Sequence, residues 1–255
     1  METVIILLFG LAWGSFLNVV IYRLPRDLSL ISPPSSCPHC GKRIKVTENI
    51  PLISYMALRG KCSRCRAKIP FSYPFVEALT PLCFLLLFAS FATGLHFFAS
   101  CLFTSALIVL CFIDYNHQIL PDEITLPGIV LAISYALFRK DLSLTGALLG
   151  AVVGAGILLL IFSLYYLLRK KEGLGMGDVT LMLMIGAFLG WKGALLTLIL
   201  GSFSGALVGI FMLTFQKKGL QHALPFGTFL APAAFVALLY GQKIISAYLA
   251  LYRTP

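Results

Sequence analysis

Charged side chains are scarce in this sequence, and acidic ones most of all. Lysine, arginine, aspartate and glutamate together make up 12% of the 255 residues, and only ten residues are Asp or Glu. Hydrophobic residues account for 59% of the chain, and the mean hydropathy is +0.92. These values lie outside the range of soluble globular domains. The sequence therefore predicts a protein whose main solvent is lipid.

Several common motifs are missing as well. There is no Gly-x-Ser-x-Gly and no His-Glu-x-x-His, so neither a serine-hydrolase elbow nor a zinc-protease helix is indicated. The first apolar run, 4–22, has no basic stretch before it and no Ala-x-Ala site after it, so we expect a retained span rather than a signal peptide. The net charge of +10 does not indicate nucleic-acid binding, because the basic residues flank apolar segments and lack interleaved aromatic residues.

Long apolar runs recur along almost the whole chain. A span needs about 20 apolar residues to cross a ~30 Å hydrocarbon layer, and long runs without alternation favour helices over barrel strands. We predict an all-α protein, a polytopic transmembrane helical bundle of about eight spans, of which the fourth and sixth are short. The predicted spans are 4–22, 76–94, 97–113, 124–138, 143–168, 178–190, 193–215 and 224–250.

A polar region between the first two spans carries ten of the twenty Lys and Arg residues. The positive-inside rule places this region in the cytosol and the N-terminus outside. Eight spans threaded from that start put five further basic residues inside and five outside. Those inside are Arg169, Lys170, Lys171, Lys217 and Lys218, and those outside are Arg139, Lys140, Lys192, Lys243 and Arg253.

Two C-x-x-C pairs stand in this polar region, Cys37 with Cys40 and Cys62 with Cys65. Each C-x-x-C pair can form a tight turn, here called a knuckle, that presents two thiolates. Four thiolates from two knuckles form a closed tetrahedral zinc site, which is structural rather than catalytic. A domain of about 50 residues is too small to depend on its apolar core alone, so the metal would supply folding energy. Disulfides or a redox dithiol are the alternatives, which a reducing cytosol disfavours. The predicted domains are a first span at 1–22, a cytosolic zinc-binding domain with four cysteine ligands at 23–75 and a transmembrane helical bundle at 76–255.

Two of the few acidic residues, Asp114 and Asp178, interrupt or border predicted spans. A carboxylate at membrane depth is costly and by default a functional candidate. Two spans lie between them, so the threading brings both to the cytosolic boundary. The helix dipoles favour a charged Asp178, which opens a helix, and a neutral Asp114, which follows one. One ionised and one protonated carboxylate can activate water for amide hydrolysis without a covalent intermediate. The bundle at 76–255 is therefore predicted to be a transmembrane aspartyl peptidase bundle.

Other interpretations remain open for these residues. Asp178 could serve only as a helix N-cap, and Asp114 only as a boundary residue or as part of a cation or proton-relay site. The glycines from Gly173 to Gly177 suggest a phosphate loop, but no strand precedes them and no lysine follows. At the level of the whole protein, an ion-coupled transporter that uses the buried carboxylates and a zinc-bearing structural scaffold are the two other candidates.

The chain resembles the type IV prepilin peptidases, bifunctional leader peptidases and N-methyltransferases of type IV pili, competence pseudopili and type II secretion. The order and joint presence of the matching segments carry the resemblance over almost the whole chain. These segments are Gly14 to Pro25, the paired cysteines, Glu48 to Ser54, Tyr73 to Glu77, Asp114 with the Ile-Leu-Pro-Asp run ending at Asp122, Gly175 to Val179, and Pro225 to Gly227.

The resemblance implies that Asp114 and Asp178 are the catalytic aspartates of a Gly-x-Gly-Asp membrane protease. It implies a type IV prepilin or type II secretion pseudopilin as substrate, cleaved after the glycine that ends a short basic leader. It also implies methylation of the new N-terminus, with S-adenosylmethionine as donor, and a location in the bacterial inner membrane. Asn18, Arg23 and Glu77 are the candidates for the methyl-donor site.

Two positions depart from the family pattern. Thr180 stands two residues after Asp178, where the family commonly has lysine, and Thr228 follows Gly227, where proline is common. Neither change removes a carboxylate. We expect the change at Thr180 to affect the rate more than the reaction, because it removes a charge near Asp178.

Overall fold

The computed structural model describes residues 1–170, 175–216 and 225–251. Within these ranges the chain is helical and contains no extended strand, which confirms the predicted all-α class. Lys171, Gly173, Lys217, Lys218 and Arg253, which entered the predictions above, lie outside the described residues. The long helices are α1 (Glu2–Arg23), α3 (Ser72–Phe91), α4 (Leu95–His117), α5 (Asp122–Ala136), α6 (Leu144–Arg169), α7 (Met176–Gln216) and α8 (Gly227–Leu251). A short helix, α2 (Ile53–Ala57), and 3₁₀ turns at Leu24–Arg26 and Val46–Glu48 lie between α1 and α3.

Six helices in the described part of the chain, α1, α3, α4, α6, α7 and α8, are long and apolar enough to cross a membrane. The predicted count of about eight is not confirmed by this number. Helix α5 has 15 residues, and the predicted spans 178–190 and 193–215 both fall within α7. At Gly190 the backbone of α7 leaves the helical conformation, with φ 74° and ψ 174°. Glycine is the residue that tolerates such a conformation, so its place in the sequence determines where α7 breaks.

The chain forms two compact units, Met1–Val109 and Leu110–Pro255. In the first unit, α1 packs against α3 through small residues. A Cβ atom added to Gly10 would lie 2.6 Å from the Cα atom of Pro81, and one added to Gly14 would lie 3.0 Å from the Cα atom of Glu77. Glycine therefore allows the two backbones to approach closely, as is common between membrane helices.

The two C-x-x-C pairs of the first unit adopt the same local fold. The backbone N–H of Cys37 donates to the carbonyl of Lys42, and that of Cys62 donates to the carbonyl of Ala67, both at 2.9 Å. Each loop is also closed by an isolated antiparallel bridge on its flanks. The two pairs are thus equivalent knuckles, each able to present two sulfur atoms from one tight turn.

In the second unit, α7 packs against α5, α6 and α8. Its close contact with α6 includes Gly150 and Gly154, which are four residues apart and therefore share one helix face. The backbone of Gly150 lies directly against the backbone of Gly186 in α7. Helix α7 is therefore the central element of this unit, and its first turn carries Asp178.

Candidate active site

Asp114 lies in the last turn of α4, and its side chain is buried, with 5% of the residue exposed. It belongs to the second compact unit. Its Oδ2 atom accepts a hydrogen bond from the backbone N–H of Thr228 at 2.7 Å. Thr228 is the second residue of α8, so the carboxylate lies at the N-terminus of that helix, where the free N–H groups and the helix dipole favour negative charge.

Asp178 lies in the first turn of α7 and is also buried, with 7% of the residue exposed. The backbone N–H of Asp178 donates to the carbonyl of Gly175 at 3.1 Å, which forms the turn that starts the helix. The N–H of Gly175 in turn interacts with the carboxylate of Asp178. Local backbone geometry therefore aims this side chain inward at the start of α7.

The two carboxylates meet at the N-terminus of α8. The backbone N–H of Gly227 interacts with both Asp114 and Asp178, and the two acids interact electrostatically with each other. Two buried carboxylates that interact with the same N–H group and with each other form a coupled pair, in which the charge of one affects the protonation of the other. Such coupling suits a pair in which one ionised carboxylate takes a proton from water while the other, protonated, polarises a carbonyl group.

Leu120 covers this pair from the loop between α4 and α5. A Cβ atom added to Gly177 would lie 2.9 Å from the Cβ of Leu120, and one added to Gly227 would lie 3.1 Å from its Cδ1 and Cδ2 atoms. The same added Cβ at Gly227 would lie 3.0 Å from Oδ2 of Asp114. The absence of side chains at positions 177 and 227 therefore makes room for the carboxylate of Asp114 and for the side chain of Leu120.

The sulfur atoms of Cys37, Cys40, Cys62 and Cys65 all lie within 4.8 Å of one another. The Sγ atoms of Cys37 and Cys65 are 3.8 Å apart, far longer than a disulfide bond of about 2.05 Å. A tetrahedral ion with metal–sulfur bonds of about 2.3 Å would place its ligands about 3.8 Å apart. The cluster thus has the donor set and the spacing of a metal site.

The electrostatics of the knuckles also suit a metal. The backbone N–H groups of Cys65 and Arg64 lower the pKa of the Cys62 thiol to about 6, which favours the thiolate that binds metals. At Cys65 the N–H of Ala67 lowers the pKa, but desolvation and contacts with the other three thiols outweigh it and raise the pKa to about 11. Thiolates at four neighbouring sulfur atoms would repel one another, and a divalent cation would relieve that repulsion.

A polar clamp joins the two knuckles. The ammonium group of Lys42 donates to Oγ of Ser63 at 2.7 Å and forms an ion pair with Glu48 at 3.2 Å. The Ser63 hydroxyl, the backbone N–H of Lys45 and the Lys42 ammonium group lower the pKa of the Glu48 carboxyl. The clamp ties the loop after the first pair to the interior of the second pair.

The three candidates for the methyl-donor site all lie in the first unit. The amide of Asn18 donates to the carbonyl of Tyr73 at 3.0 Å, and Glu77 accepts the backbone N–H of Leu52 at 2.8 Å. The guanidinium of Arg23 donates to two backbone carbonyls of the loop that follows α1. Arg23 also lines a cavity of about 290 Å³, whose polar wall includes Ser15, Ser35 and Asn49.

No sequence pattern indicated a role for Gly227, Thr228 or Leu120. Gly227 closes a matching segment and Leu120 lies within another, so the resemblance marked their segments without indicating a contact. Thr228 was noted only as a departure from proline. That departure was the available signal, because proline has no backbone N–H and could not donate to Asp114.

Comparison with known proteins identifies two family domains in the chain. Residues 8–91 match the family described as Bacterial Peptidase A24 N-terminal domain, and residues 101–210 match the Type IV leader peptidase family. The first domain contains the four clustered cysteines, and the second contains Asp114 and Asp178. No solved structure gave a significant match.

Curated relatives are similar over nearly the whole chain. A prepilin leader peptidase/N-methyltransferase of Stutzerimonas stutzeri is 42% identical over 95% of this chain and 92% of its own length. Proteins of the same name from Pseudomonas aeruginosa and Aeromonas hydrophila are 40% and 38% identical, with coverage of 95% and 96% of this chain and 92% and 93% of their own lengths. On these matches, together with the carboxylate pair and the four-cysteine cluster, the chain belongs to the type IV leader peptidase family.

Proposed function

We propose that this chain is a membrane aspartyl endopeptidase that removes the leader of a type IV prepilin or pseudopilin and then N-methylates the new N-terminus. The observation that carries the peptidase function is the meeting of two buried carboxylates, Asp114 and Asp178, at the N-terminus of α8. The relatives that match this chain over most of its length are named for the same two activities.

The peptidase reaction needs one carboxylate as base and one carboxylic acid. The base takes a proton from a water molecule while the water oxygen bonds to the carbonyl carbon of the scissile peptide, and the acid gives its proton to the carbonyl oxygen. Collapse of the tetrahedral intermediate breaks the carbon–nitrogen bond and returns a proton to the leaving amine. Burial strengthens the electrostatic interactions that stabilise the transition state, because the surrounding dielectric is low.

Cleavage of a purified prepilin in detergent or liposomes tests this function. We expect Asp114→Ala and Asp178→Asn each to lower kcat by on the order of 10³-fold or more, since each removes an acid or base group. Glu123→Gln is the matched control, because Glu123 is an exposed acid near the start of α5. Cleavage should survive inhibitors of serine and cysteine proteases and chelators. Normal cleavage by either aspartate variant would disprove the assignment.

For methyl transfer we propose S-adenosylmethionine as donor, bound in the cavity of about 290 Å³ beside Arg23. This volume is near the lower end of pockets that hold molecules of such size. A guanidinium suits the carboxylate of the donor's amino-acid portion, and the hydroxyl and amide groups of the wall suit its hydroxyls. The donor would supply an electrophilic methyl group for the unprotonated N-terminal amine.

Asn18 and Glu77 are proposed to shape this site through the groups they bind. The Ser15 hydroxyl, which lines the cavity, interacts with Glu77, and the Asn18 amide donates to the backbone carbonyl of Tyr73 at the start of α3. Mass analysis of the cleaved product tests the location. Arg23→Ala should reduce the methylated fraction more than the cleaved fraction, whereas Arg26→Ala, an exposed neighbour outside the cavity, should change neither. Equal methylation by the two variants would exclude this cavity.

We further propose that the four-cysteine cluster holds a structural zinc ion. All four positions are filled by cysteine, which leaves no open coordination site for water, so the metal would stabilise the fold of the region rather than act in hydrolysis. One zinc ion per chain by elemental analysis is the expected result, and its absence in protein purified without chelators would contradict the proposal.

The proposed location is the bacterial inner membrane, with the N-terminus outside and both the cysteine cluster and the carboxylate pair facing the cytosol. The convergence of Asp114 and Asp178 supports an even number of crossings between them. This requires the 15-residue α5, which is not one of the six long apolar helices, to cross the membrane together with α6. Single cysteines placed at Thr93 and at Glu123 in a cysteine-depleted chain test the orientation. A membrane-impermeant maleimide should label position 93 in intact spheroplasts and position 123 only after lysis.

A further inference from the structure

Thr228 directs two hydrogen-bond donors at one oxygen atom of Asp114. Its backbone N–H lies 2.7 Å from Oδ2 of Asp114, and its hydroxyl oxygen lies 3.1 Å from the same atom. The hydroxyl also lies 3.4 Å from the carbonyl oxygen of Cys111, so the shorter of its two contacts is the one to the carboxylate. Asp114 and Thr228 are 114 positions apart in the sequence, and both lie within the second compact unit.

These contacts determine which oxygen of Asp114 is available for chemistry. While the N–H and the hydroxyl of Thr228 both donate to Oδ2, both lone pairs of that oxygen are used and Oδ2 carries no proton. Rotation of the carboxylate about its last side-chain bond would break both contacts at once. Oδ1 is therefore the oxygen left to exchange a proton with water or with Asp178.

We propose that Thr228 is a positioning residue that holds Asp114 as the ionised base of the pair and keeps Oδ1 directed to the reacting water. The proposal rests on the proposed peptidase function. In this assignment Oδ1 of Asp114 receives the proton of the attacking water, and Asp178 donates its proton to the carbonyl oxygen of the substrate. The assignment reverses the one that the dipoles of α4 and α7 alone suggest, because the N-terminus of α8 contributes a third helix dipole at Asp114.

A series of substitutions at this one position separates the two donors. Thr228→Ser keeps both donors, Thr228→Val keeps only the backbone N–H, and Thr228→Pro keeps neither. Proline is compatible with the first turn of a helix, where the N–H has no partner within the helix, so the fold of α8 tolerates it. Thr197→Val is the matched control, because the Thr197 hydroxyl donates only to the carbonyl of Gly193 in its own helix.

The measurement is steady-state cleavage of a prepilin, with kcat and KM determined separately and folding checked by thermal unfolding in detergent. We expect Thr228→Ser to match the wild type, Thr228→Val to lower kcat roughly three- to tenfold and Thr228→Pro to lower it further, since each step removes one hydrogen bond to a charged acceptor. KM should stay near the wild-type value, because Thr228 acts through Asp114. Thr197→Val should leave kcat unchanged.

Three results would overturn the proposal: wild-type kcat in both Thr228→Val and Thr228→Pro, a loss in Thr228→Ser equal to that in Thr228→Val, or a change confined to KM. If Thr228→Pro does not fold, the comparison of the Ser and Val variants still decides the role of the hydroxyl. Failure of the peptidase function itself would look different, because the wild-type protein would then release no leader, or the Asp114→Ala and Asp178→Asn variants would cleave normally.

Discussion

The backbones of Gly150 in α6 and Gly186 in α7 lie in direct contact. A Cβ atom added to either residue would overlap the backbone of the other. This contact sets the distance between the two helices, and α7 carries Asp178 at its start. The glycine pair thus connects the packing of the second unit to the position of one catalytic candidate.

We expect Gly150→Ala to destabilise the protein, because the added methyl group forces α6 and α7 apart. Overpacking of this kind costs about 1–3 kcal/mol in the free energy of unfolding. Thermal unfolding in detergent, followed by intrinsic fluorescence, should show a lower Tm. The matched control is Gly156→Ala in the same helix, where an added Cβ would meet nothing within 4 Å. An unchanged Tm for Gly150→Ala would contradict the close contact.

Gly227→Ala should reduce cleavage while leaving the protein folded. The added Cβ would lie 3.0 Å from Oδ2 of Asp114, so the carboxylate has to move by several tenths of an ångström. A small misplacement of a catalytic group costs roughly ten- to hundredfold in rate. Gly205→Ala is the control, since its nearest neighbour, the Cδ2 atom of Phe229, would lie 3.4 Å away. Full kcat in Gly227→Ala would show that the position of Asp114 does not limit the reaction.

Cys37→Ser should impair protein level and methylation more than the chemical step of cleavage. The substitution removes one sulfur from the cluster in the first unit, whereas the carboxylate pair lies in the second unit. Zinc content, the amount of folded protein, kcat per folded molecule and the methylated fraction are the four measurements. Cys83→Ala, at a buried cysteine of α3 outside the cluster, is the control. Full methylation, normal abundance and a loss of kcat in Cys37→Ser would together contradict a structural role.

The two knuckles differ at one equivalent backbone position. Gly41 in the first has φ 66°, and Arg66 in the second has φ 59°, the left-handed conformation that costs a residue with a side chain about 1–2 kcal/mol. We therefore expect Arg66→Gly to slow the release of zinc to a competing chelator and Gly41→Ala to accelerate it. Open space surrounds an added Cβ at Gly41, so steric overlap does not contribute to that effect. Faster release from Arg66→Gly would show that the arginine side chain matters more than its backbone strain.

The membrane class, the all-α fold, the cysteine cluster and the location of two aspartates within apolar segments could be predicted because each depends on local sequence. An apolar run of sufficient length forms a helix in lipid whatever its neighbours are, and two C-x-x-C pairs in one short polar region indicate a shared metal. The span count could not be predicted as securely. Apolar character marks where the chain prefers lipid, and the predicted boundary between spans 178–190 and 193–215 falls at the break at Gly190 of α7. It does not determine whether the 15-residue α5, or each part of α7, crosses the membrane as a separate span.

By itself the sequence determined which groups are candidates for the protein's chemistry: two of only ten acidic residues, at the borders of apolar segments, and four thiols in two C-x-x-C pairs. Only the tertiary structure decided how the acids are held, because α8 begins more than a hundred residues after Asp114 and still places the N–H groups of Gly227 and Thr228 on its carboxylate. The physical reason is that a hydrogen bond depends on distance and direction in space. Helix packing brings those two segments together, and the local sequence of neither segment indicates that it contacts the other.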